Sequence, residues 1–364
     1  MATFRSLCVL ALLATFTCVA SAHGPDHPPH RIAELGRMDF ENGGSLPNLR
    51  ISYVTHGKLN AAKDNAILVL HGFGANHHGF DGWIGPGKAL DTDKYFIVSP
   101  DQFGNTQVGF DHSSGPTNSG LGMNFPAYNA RDMIKAKHKL LTEALGIKRV
   151  AAIAGISMGA AQSIQFAVSY PDFADRIIPI VGGALWGTQG MFFSAQLQSI
   201  IENCEGWQGG QYKTNPRSCA ANAISALVPY FYSREWWEQN ITSPDAYAQW
   251  RKGWGDGYLD IQEARDLYQL SKAMGRSWVG DTPGFKGDFA AALKSIKARA
   301  IFVVSPYDQF FLPSHIETQR KLIPDARVVS IDSNAGHLIC CGADPQATWL
   351  MGEAMRGFLA ETKP

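Results

Sequence analysis

Short apolar runs alternate with longer amphipathic segments along most of the chain. The runs predict β-strands over residues 50–55, 66–70, 95–99, 150–154, 177–181, 300–304 and 328–331. Helices are predicted over residues 131–145, where Ile134, Leu141 and Leu145 share one face, and over residues 160–169 and 346–359. This alternation is typical of a mostly parallel sheet whose strands are joined by helical crossovers, an α/β fold.

The alternation of predicted strands and helices stops between residues 184 and 291, where the sequence is aromatic and helix-like. Its aromatic residues include Trp186, Trp207, Tyr230, Phe231, Tyr232, Trp236, Trp237, Trp250, Trp254 and Trp278. The pattern predicts a helical cap inserted into a core made of residues 41–183 and 292–364. Most of these side chains are expected to pack inside the cap and on the sheet, with a few lining an apolar pocket.

The N-terminus has the pattern of a secretory signal. Arg5 precedes an uncharged apolar stretch over residues 7–19, which is followed by Ala20-Ser21-Ala22, an A-x-A cleavage pattern. The stretch is shorter than the roughly 20 apolar residues that a membrane-spanning helix needs. We therefore predict a signal peptide over residues 1–22, export to the periplasm or medium, and no membrane anchor.

Residues 23–40 are predicted to form a flexible leader after the cleavage point. Its first part is rich in histidine and proline, and His23, Asp26, His27 and His30 could together hold a metal ion. A disordered end of the mature chain is the preferred interpretation, so no metal site is predicted.

The overall composition indicates the size of the domain, and the balance of charges bears on the kind of partner. The 364 residues are 45% hydrophobic, enough for one large domain with an insertion. Lys and Arg number 32, as do Asp and Glu, so nothing favours nucleic acid or an anionic membrane as a partner.

The cysteines fit an oxidising compartment. Beyond the signal peptide, which carries Cys8 and Cys18, the chain has Cys204, Cys219, Cys340 and Cys341, which allow three pairings. A Cys204–Cys219 bond is the simplest because it would close a short Gly-rich loop. A bond between the adjacent Cys340 and Cys341 would be strained.

The chemistry is indicated by Gly155-Ile156-Ser157-Met158-Gly159, between a predicted buried strand and a predicted helix. G-x-S-x-G in this context resembles the nucleophile elbow of the α/β-hydrolase fold, in which a tight turn holds a serine hydroxyl clear of the sheet. Ser157 is therefore the predicted nucleophile.

A serine needs a base to take its proton, and the base needs an orienting carboxylate. In this fold both follow the serine, the acid first. Downstream of Ser157 only His315 and His337 are histidines, and His337 follows the last predicted strand across a short loop, where the base belongs. Asp308, just after the strand 300–304, is preferred as the acid over Asp332, which shares its loop with His337.

The oxyanion hole is predicted to use the backbone N–H groups of Met158 and Phe73. Met158 follows the nucleophile, and Phe73 lies in His71-Gly72-Phe73-Gly74 after the strand 66–70. His71 is expected to bond the loop to itself, while His77 and His78 are expected to be exposed polar residues near the entrance.

Further motifs accompany the elbow: Gly82-Trp83-Ile84-Gly85-Pro86-Gly87-Lys88-Ala89, Asp91-Thr92-Asp93-Lys94-Tyr95-Phe96, Phe125-Pro126, Arg131-Asp132-Met133 and Ala167-Val168-Ser169-Tyr170-Pro171. With them the chain resembles the homoserine O-acetyltransferase branch of the α/β-hydrolases. The likeness covers residues 65–181 and 300–358, and the cap diverges. The resemblance implies a Ser157, His337 and Asp308 triad and a homodimer formed through the cap. The triad chemistry itself needs no metal or organic cofactor.

Two departures from that family favour hydrolysis over acyl transfer. The transferases follow the catalytic histidine with an aspartate and carry a cap arginine for the amino-acid acceptor. Here Leu338 follows His337, and residues 218–232 contain no arginine. Each lost charge partner should cost roughly 1.5 to 3 kcal/mol of acceptor binding. We therefore expect an exported serine hydrolase acting on a small-molecule carboxylic ester or related acyl bond, with O-acyl transfer to a hydroxyl acceptor as the alternative.

Overall fold

The computed structural model describes residues 27–105, 107, 112–184, 187–254 and 258–362. The predicted signal peptide, with Cys8 and Cys18, lies outside these ranges, as do His23, Asp26 and Trp186. Within them, no helix combines the length and the apolar character needed to cross a bilayer.

An eight-stranded sheet organises the molecule. The strands among the described residues are β1 (Arg31–Glu34), β2 (Met38–Asp39), β3 (Ser45–Leu46), β4 (Arg50–His56), β5 (Ala66–Leu70), β6 (Ile84–Gly85), β7 (Leu90–Asp91), β8 (Phe96–Pro100), β9 (Ala152–Ile156), β10 (Arg176–Ile180), β11 (Arg299–Val304) and β12 (Ala326–Ser330). The large sheet has the order β1-β4-β8-β5-β9-β10-β11-β12. Its first two pairings are antiparallel and the rest are parallel.

Helices join and cover these strands. They are α1 (Ala130–Lys139), α2 (Met158–Ser169), α3 (Gly187–Glu202), α4 (Arg217–Ser225), α5 (Arg234–Asn240), α6 (Pro244–Trp254), α7 (Ala264–Gly275), α8 (Phe289–Lys294), α9 (Pro313–Leu322) and α10 (Pro345–Ala360). The central strands β5 and β9 are buried at every position, as expected for parallel strands covered on both faces. The structure is therefore the predicted α/β-hydrolase type of architecture.

The predicted strands are all present, with ends shifted by one or two residues. The shift that matters is at β9, predicted over residues 150–154 and found at Ala152–Ile156. Val150 makes only an isolated bridge with Ala174. Because β9 continues to Ile156 and α2 begins at Met158, Ser157 alone forms the turn between them.

The prediction of a flexible leader over residues 23–40 is wrong for the C-terminal part of that range. Arg31–Glu34 forms β1, which pairs antiparallel with β4 at the edge of the large sheet. Sequence inspection missed this strand because an edge strand needs only one apolar contact, and here only Ala33 is buried.

Helices α3 to α7 lie between β10 and β11, in the range expected for the cap. α3 packs along α7 and against α4. Cys204 and Cys219 form a disulfide with a Cα–Cα distance of 5.6 Å, which is the pairing that the short loop favoured. Cys340 and Cys341 are free thiols.

Candidate active site

The turn that presents Ser157 is fixed by steric constraints. Ser157 has φ 55° and ψ −112°, a left-handed conformation that is costly for a residue with a side chain. A Cβ on Gly155 would lie 2.0 Å from the carbonyl oxygen of Gly159, and one on Gly159 would lie 2.0 Å from that of Leu70. Glycine is therefore required at position 155 for β9 to lie this close to α2, and at position 159 for α2 to lie this close to the end of β5.

The three side chains predicted to act together lie in contact. The Nε2 atom of His337 is 2.9 Å from the Ser157 hydroxyl, and its Nδ1 atom is 2.9 Å from a carboxylate oxygen of Asp308. His337 follows β12 in a 3₁₀ turn over Gly336–Cys341, and Asp308 follows β11. The carboxyl ends of three parallel strands thus bring together residues up to 180 positions apart.

Asp308 is held by its own loop. Its Oδ1 atom accepts hydrogen bonds from the backbone N–H groups of Phe310 and Phe311, at 2.8 and 3.0 Å. The side chain is buried, and because Oδ1 is held by these two bonds, Oδ2 faces the imidazole. The competing residues lie elsewhere: Asp332 and His315 are both exposed.

Burial and the neighbouring carboxylate act in opposite directions on His337. Burial by itself lowers the pKa of the imidazole, because the charged form is poorly solvated. The charge of Asp308 and its hydrogen bond outweigh this, and the pKa of His337 is raised above its ordinary value. The arrangement stabilises the imidazolium that forms when a histidine takes a proton from serine.

The loop after β5 approaches the serine closely. A Cβ on Gly72 would lie 3.6 Å from the Cβ of Ser157, and Phe73 lies in the wall of the cavity above it. Met158, the first residue of α2, is fully buried beside the serine. Of the two predicted oxyanion-hole residues, Met158 thus follows Ser157 directly, and Phe73 lines the same cavity as Ser157.

Sequence analysis missed the cap residues that hold this loop. The Tyr258 hydroxyl donates to the carbonyl of Phe73 at 2.7 Å, and the Gln262 amide donates to that of Gly74 at 2.9 Å. Gln107 also donates to the Gly74 carbonyl. The only local signal is the four-residue spacing of Tyr258 and Gln262, which does not point to a partner 185 residues away.

The three histidines of this loop differ in burial and in the groups they contact. His71 is buried, its Nδ1 atom is 2.9 Å from the Gly72 carbonyl, and burial lowers its pKa to about 4. It bonds the loop to itself, as expected. The expectation that His77 is exposed is wrong: it is 1% exposed and pairs with the buried Asp101. His78 is half-buried.

A cavity of about 360 Å³ opens over Ser157. Apolar and aromatic side chains form most of its wall, among them Leu227, Phe231, Trp254, Phe310, Phe311 and Leu338. Among the described residues that line it there is no Asp, Glu, Lys or Arg. Such a cavity suits a small, uncharged ligand with apolar ends.

Two free thiols complete the wall near the base. Cys340 and Cys341 line the cavity, with their sulfur atoms 2.8 Å apart. The Cys340 thiol donates to the His337 carbonyl at 3.4 Å. These contacts fix the backbone of the 3₁₀ turn that carries the imidazole.

A serine on a tight strand-to-helix turn, in contact with a histidine and a buried aspartate above a largely parallel sheet, defines the class of α/β-hydrolase-fold enzymes. The family model for the alpha/beta hydrolase fold matches residues 65–342. The chain belongs to this family, in the branch that includes the homoserine O-acetyltransferases.

The individual relatives include both esterases and homoserine O-acetyltransferases. An ethyl acetate hydrolase from Pseudomonas veronii is 30% identical over 330 residues, which cover 88% of this chain and 93% of that protein. A homoserine O-acetyltransferase from Moorella thermoacetica is 32% identical over 339 residues, covering 82% and 88%. The crystal structure of the acetyl esterase MekB superposes with a TM-score of 0.84 at 28% identity, covering 92% and 98%.

Proposed function

We propose that this protein is an exported serine esterase that hydrolyses small carboxylic esters. The observation that carries the proposal is the unbroken chain of contacts from Ser157 through His337 to Asp308 at the floor of an apolar cavity. The esterases among its relatives support the same reaction class.

In the proposed mechanism the Ser157 oxygen attacks the ester carbonyl while Nε2 of His337 accepts its proton. Asp308 keeps the other ring nitrogen protonated and stabilises the imidazolium. The proton then passes from His337 to the departing alcohol, leaving an acyl group on Ser157. A water molecule, deprotonated by His337, attacks this acyl-enzyme. The bond to Ser157 then breaks, the acid leaves, and His337 returns the proton to the Ser157 oxygen.

Each of the two attacks on the carbonyl carbon forms a tetrahedral intermediate with a negatively charged oxygen. Hydrogen-bond donors that are already in position stabilise this charge. We assign this role to the backbone N–H groups of Met158 and Phe73. Met158 opens α2, so the positive end of the helix dipole adds to its N–H. Tyr258 acts as a positioning residue for Phe73 through the hydrogen bond to its carbonyl.

The cavity favours a short acyl group and a small alcohol. Its volume of about 360 Å³ is near the lower end of the range for ligand pockets, roughly 300 to 1,000 Å³. Ethyl acetate and other acetyl esters, the substrates in the names of two relatives, are small enough to fit within it. We infer that activity declines as the acyl chain lengthens.

Acyl transfer to a hydroxyl acceptor is the alternative, because the transferases of this branch are as similar in sequence as the esterases. The wall of the cavity argues against a zwitterionic acceptor such as homoserine. Leu338 lines it next to His337, and no charged side chain is among its described lining residues. A carboxylate or ammonium group would be desolvated there without a partner.

The test compares p-nitrophenyl acetate with longer acyl esters, using the wild type and Ser157→Ala. We expect hydrolysis to fall by about six orders of magnitude in Ser157→Ala. Ser169→Ala, on the same helix but away from the cavity wall, is the matched control and should retain the wild-type rate. A fluorophosphonate probe should label the wild type and the control only.

The alternative is tested with acetyl-CoA and homoserine. Release of free thiol that depends on homoserine, and exceeds ester hydrolysis, would contradict the esterase proposal. Retained hydrolysis in a folded Ser157→Ala variant would contradict the mechanism itself.

Export is also part of the proposal. The apolar segment and A-x-A pattern of the N-terminus support it, and so does the Cys204–Cys219 disulfide, since such bonds persist mainly in oxidising compartments. Mass spectrometry of the mature chain should find its first residue at or near His23. Pairing of two chains through their caps stays a prediction.

A further inference from the structure

A cluster of histidines lies where the N-terminal segment crosses the loop that follows β5. His27 and His30 come from that segment, His56 ends β4, and His77 and His78 begin a 3₁₀ helix over His77–Trp83. Two carboxylates, Asp81 and Asp101, contact the same group. The esterase mechanism uses none of these side chains.

His77 is fixed in place from three sides. Its Nδ1 atom is 2.8 Å from a carboxylate oxygen of Asp101, and its backbone N–H donates to the same oxygen at 2.9 Å. The Ser99 hydroxyl donates to its carbonyl at 2.8 Å. With Nδ1 held by a buried carboxylate, Nε2 is the nitrogen that the ring presents, as in carboxylate–histidine–metal sites.

His78 has the same kind of partner. Its Nδ1 atom is 2.6 Å from Asp81, and its backbone N–H donates to Asn76 at 3.0 Å. The rings of His77 and His78 have centroids 4.2 Å apart. Two oriented imidazoles thus stand side by side on one short helix.

The N-terminal segment supplies the facing rings. The Nε2 atom of His30 is 2.8 Å from the Nε2 atom of His77, and the ring of His27 lies 4.4 Å from that of His78. His27, His77 and His78 each offer a ligand nitrogen, and these atoms lie within 4.8 Å of one another. Nitrogens around a tetrahedral zinc ion are about 3.3 Å apart, given bonds of about 2.0 Å, so small side-chain rotations would close the set.

We propose that this cluster is a binding site for one divalent transition-metal ion of the zinc type. His27, His77 and His78 provide three imidazole ligands, and His30 lies beside them, against the Nε2 atom of His77. Asp101 and Asp81 accept from the Nδ1 atoms of His77 and His78 and so orient them. A set of neutral imidazoles suits zinc and similar metals of intermediate softness, and it does not suit magnesium or calcium, which take oxygen ligands.

The ion would be structural. It would join the N-terminal segment to the connection that begins with His71 and Phe73, and so would restrain the loop assigned to the oxyanion hole. The site takes no part in acyl transfer, and its existence does not depend on the esterase proposal. Because the ion binds only the folded chain, it should raise the Tm in proportion to the logarithm of its concentration above the Kd.

The test uses the full mature chain without an affinity tag, stripped with a chelator and titrated with ZnCl₂ in a calorimeter. We expect one zinc ion per chain, no detectable binding of MgCl₂, and a Tm that rises with added zinc. His27→Gln combined with His30→Gln should weaken zinc binding by about tenfold or more. These two residues belong to the N-terminal segment, so the variant should keep the fold.

Two matched histidine controls define the site. His315→Gln changes an exposed histidine on α9, and His23→Gln changes one in the same N-terminal segment that is outside the proposed ligand set. Both should bind zinc as the wild type does. His78→Gln should weaken binding as the double variant does.

The proposal is overturned by a zinc stoichiometry well below one per chain. It is equally overturned if the double variant and His78→Gln bind zinc as tightly as the wild type, or if His23→Gln abolishes binding. Ester hydrolysis by the same preparations is measured in parallel, so that failure of this site is distinguished from failure of the proposed enzyme.

Discussion

At the scale of single residues, the site depends on backbone geometry as much as on side chains. Ser157 is held at a positive φ, and this strain persists only because β9 and α2 meet at one residue. The glycines on either side permit the approach, since any larger residue would collide with backbone that cannot move independently.

Replacing Gly159 by alanine should therefore destabilise the whole fold. The added methyl group would lie 2.0 Å from the Leu70 carbonyl oxygen, and we expect a loss of about 3 kcal/mol or more in the free energy of unfolding. Urea denaturation followed by circular dichroism measures it.

The matched control for this prediction is Gly357→Ala. Gly357 is exposed in α10, and its added methyl group meets nothing within 4 Å. Alanine should stabilise the helix there by about 0.5 to 1 kcal/mol. Equal losses from the two substitutions would contradict the steric argument.

The pKa of His337 makes a second prediction at this scale. The base must be neutral to accept a proton, and Asp308 raises its pKa above the ordinary value of 6.5 against the opposing effect of burial. As pH falls through this raised pKa the imidazole becomes protonated, so kcat/KM should decline with a midpoint above about 6.5.

A pH–rate profile with two esters of different leaving groups measures this midpoint. Each sample is returned to neutral pH to show that activity recovers and that unfolding is not the cause. A reversible midpoint at or below 6.5 would show that burial, rather than Asp308, dominates in solution.

At the scale of elements, the loop after β5 is held in place by hydrogen bonds from residues outside it. Its carbonyls at Phe73 and Gly74 accept hydrogen bonds from Tyr258 and Gln262, which lie between α6 and α7. The cap thus does more than cover the cavity, because it holds the two peptide units that directly follow the Phe73 N–H assigned to the oxyanion hole.

Tyr258→Phe tests this coupling. Losing the donor to the Phe73 carbonyl should lower the free energy of unfolding by about 1 kcal/mol and kcat by about tenfold, with little change in KM. Tyr247→Phe, an exposed residue of α6, is the control and should change neither quantity. A loss of stability with unchanged kcat would mean that the bond is only structural.

At the scale of the whole molecule, the inserted cap is secured by packing and by one covalent link. α3 packs along α7, and the Cys204–Cys219 disulfide ties the end of α3 to α4 across 15 residues. Cys340 and Cys341 lie apart from this link, in the wall of the cavity.

Reduction of the disulfide should lower the free energy of unfolding by about 3 kcal/mol, the value typical of a loop of this length. Urea midpoints with and without a thiol reductant measure the change. The double variant Cys204→Ser and Cys219→Ser should start from the lower value and not respond to reductant. A response in that variant would assign the effect to Cys340 and Cys341 instead.

Local patterns were sufficient for the buried strands of the sheet, for the tight turn at Ser157 and for the three residues whose side chains meet there. Apolar runs predicted the buried strands to within one or two residues, and Gly155–Gly159 predicted the strand-to-helix turn that presents Ser157. His337 and Asp308 followed from their place after β12 and β11. These inferences succeed because each depends on residues that are neighbours in the chain.

Contacts between distant parts of the chain had no such pattern. The edge strand Arg31–Glu34 exists because β4 offers it hydrogen bonds, and His77 is buried because Asp101 and the N-terminal segment enclose it. Tyr258 reaches a carbonyl 185 residues away. Hydrogen bonds of this kind are decided only by the tertiary structure. A backbone carbonyl or a carboxylate can accept from any donor that the fold brings near it, whatever the separation of the two residues in the sequence.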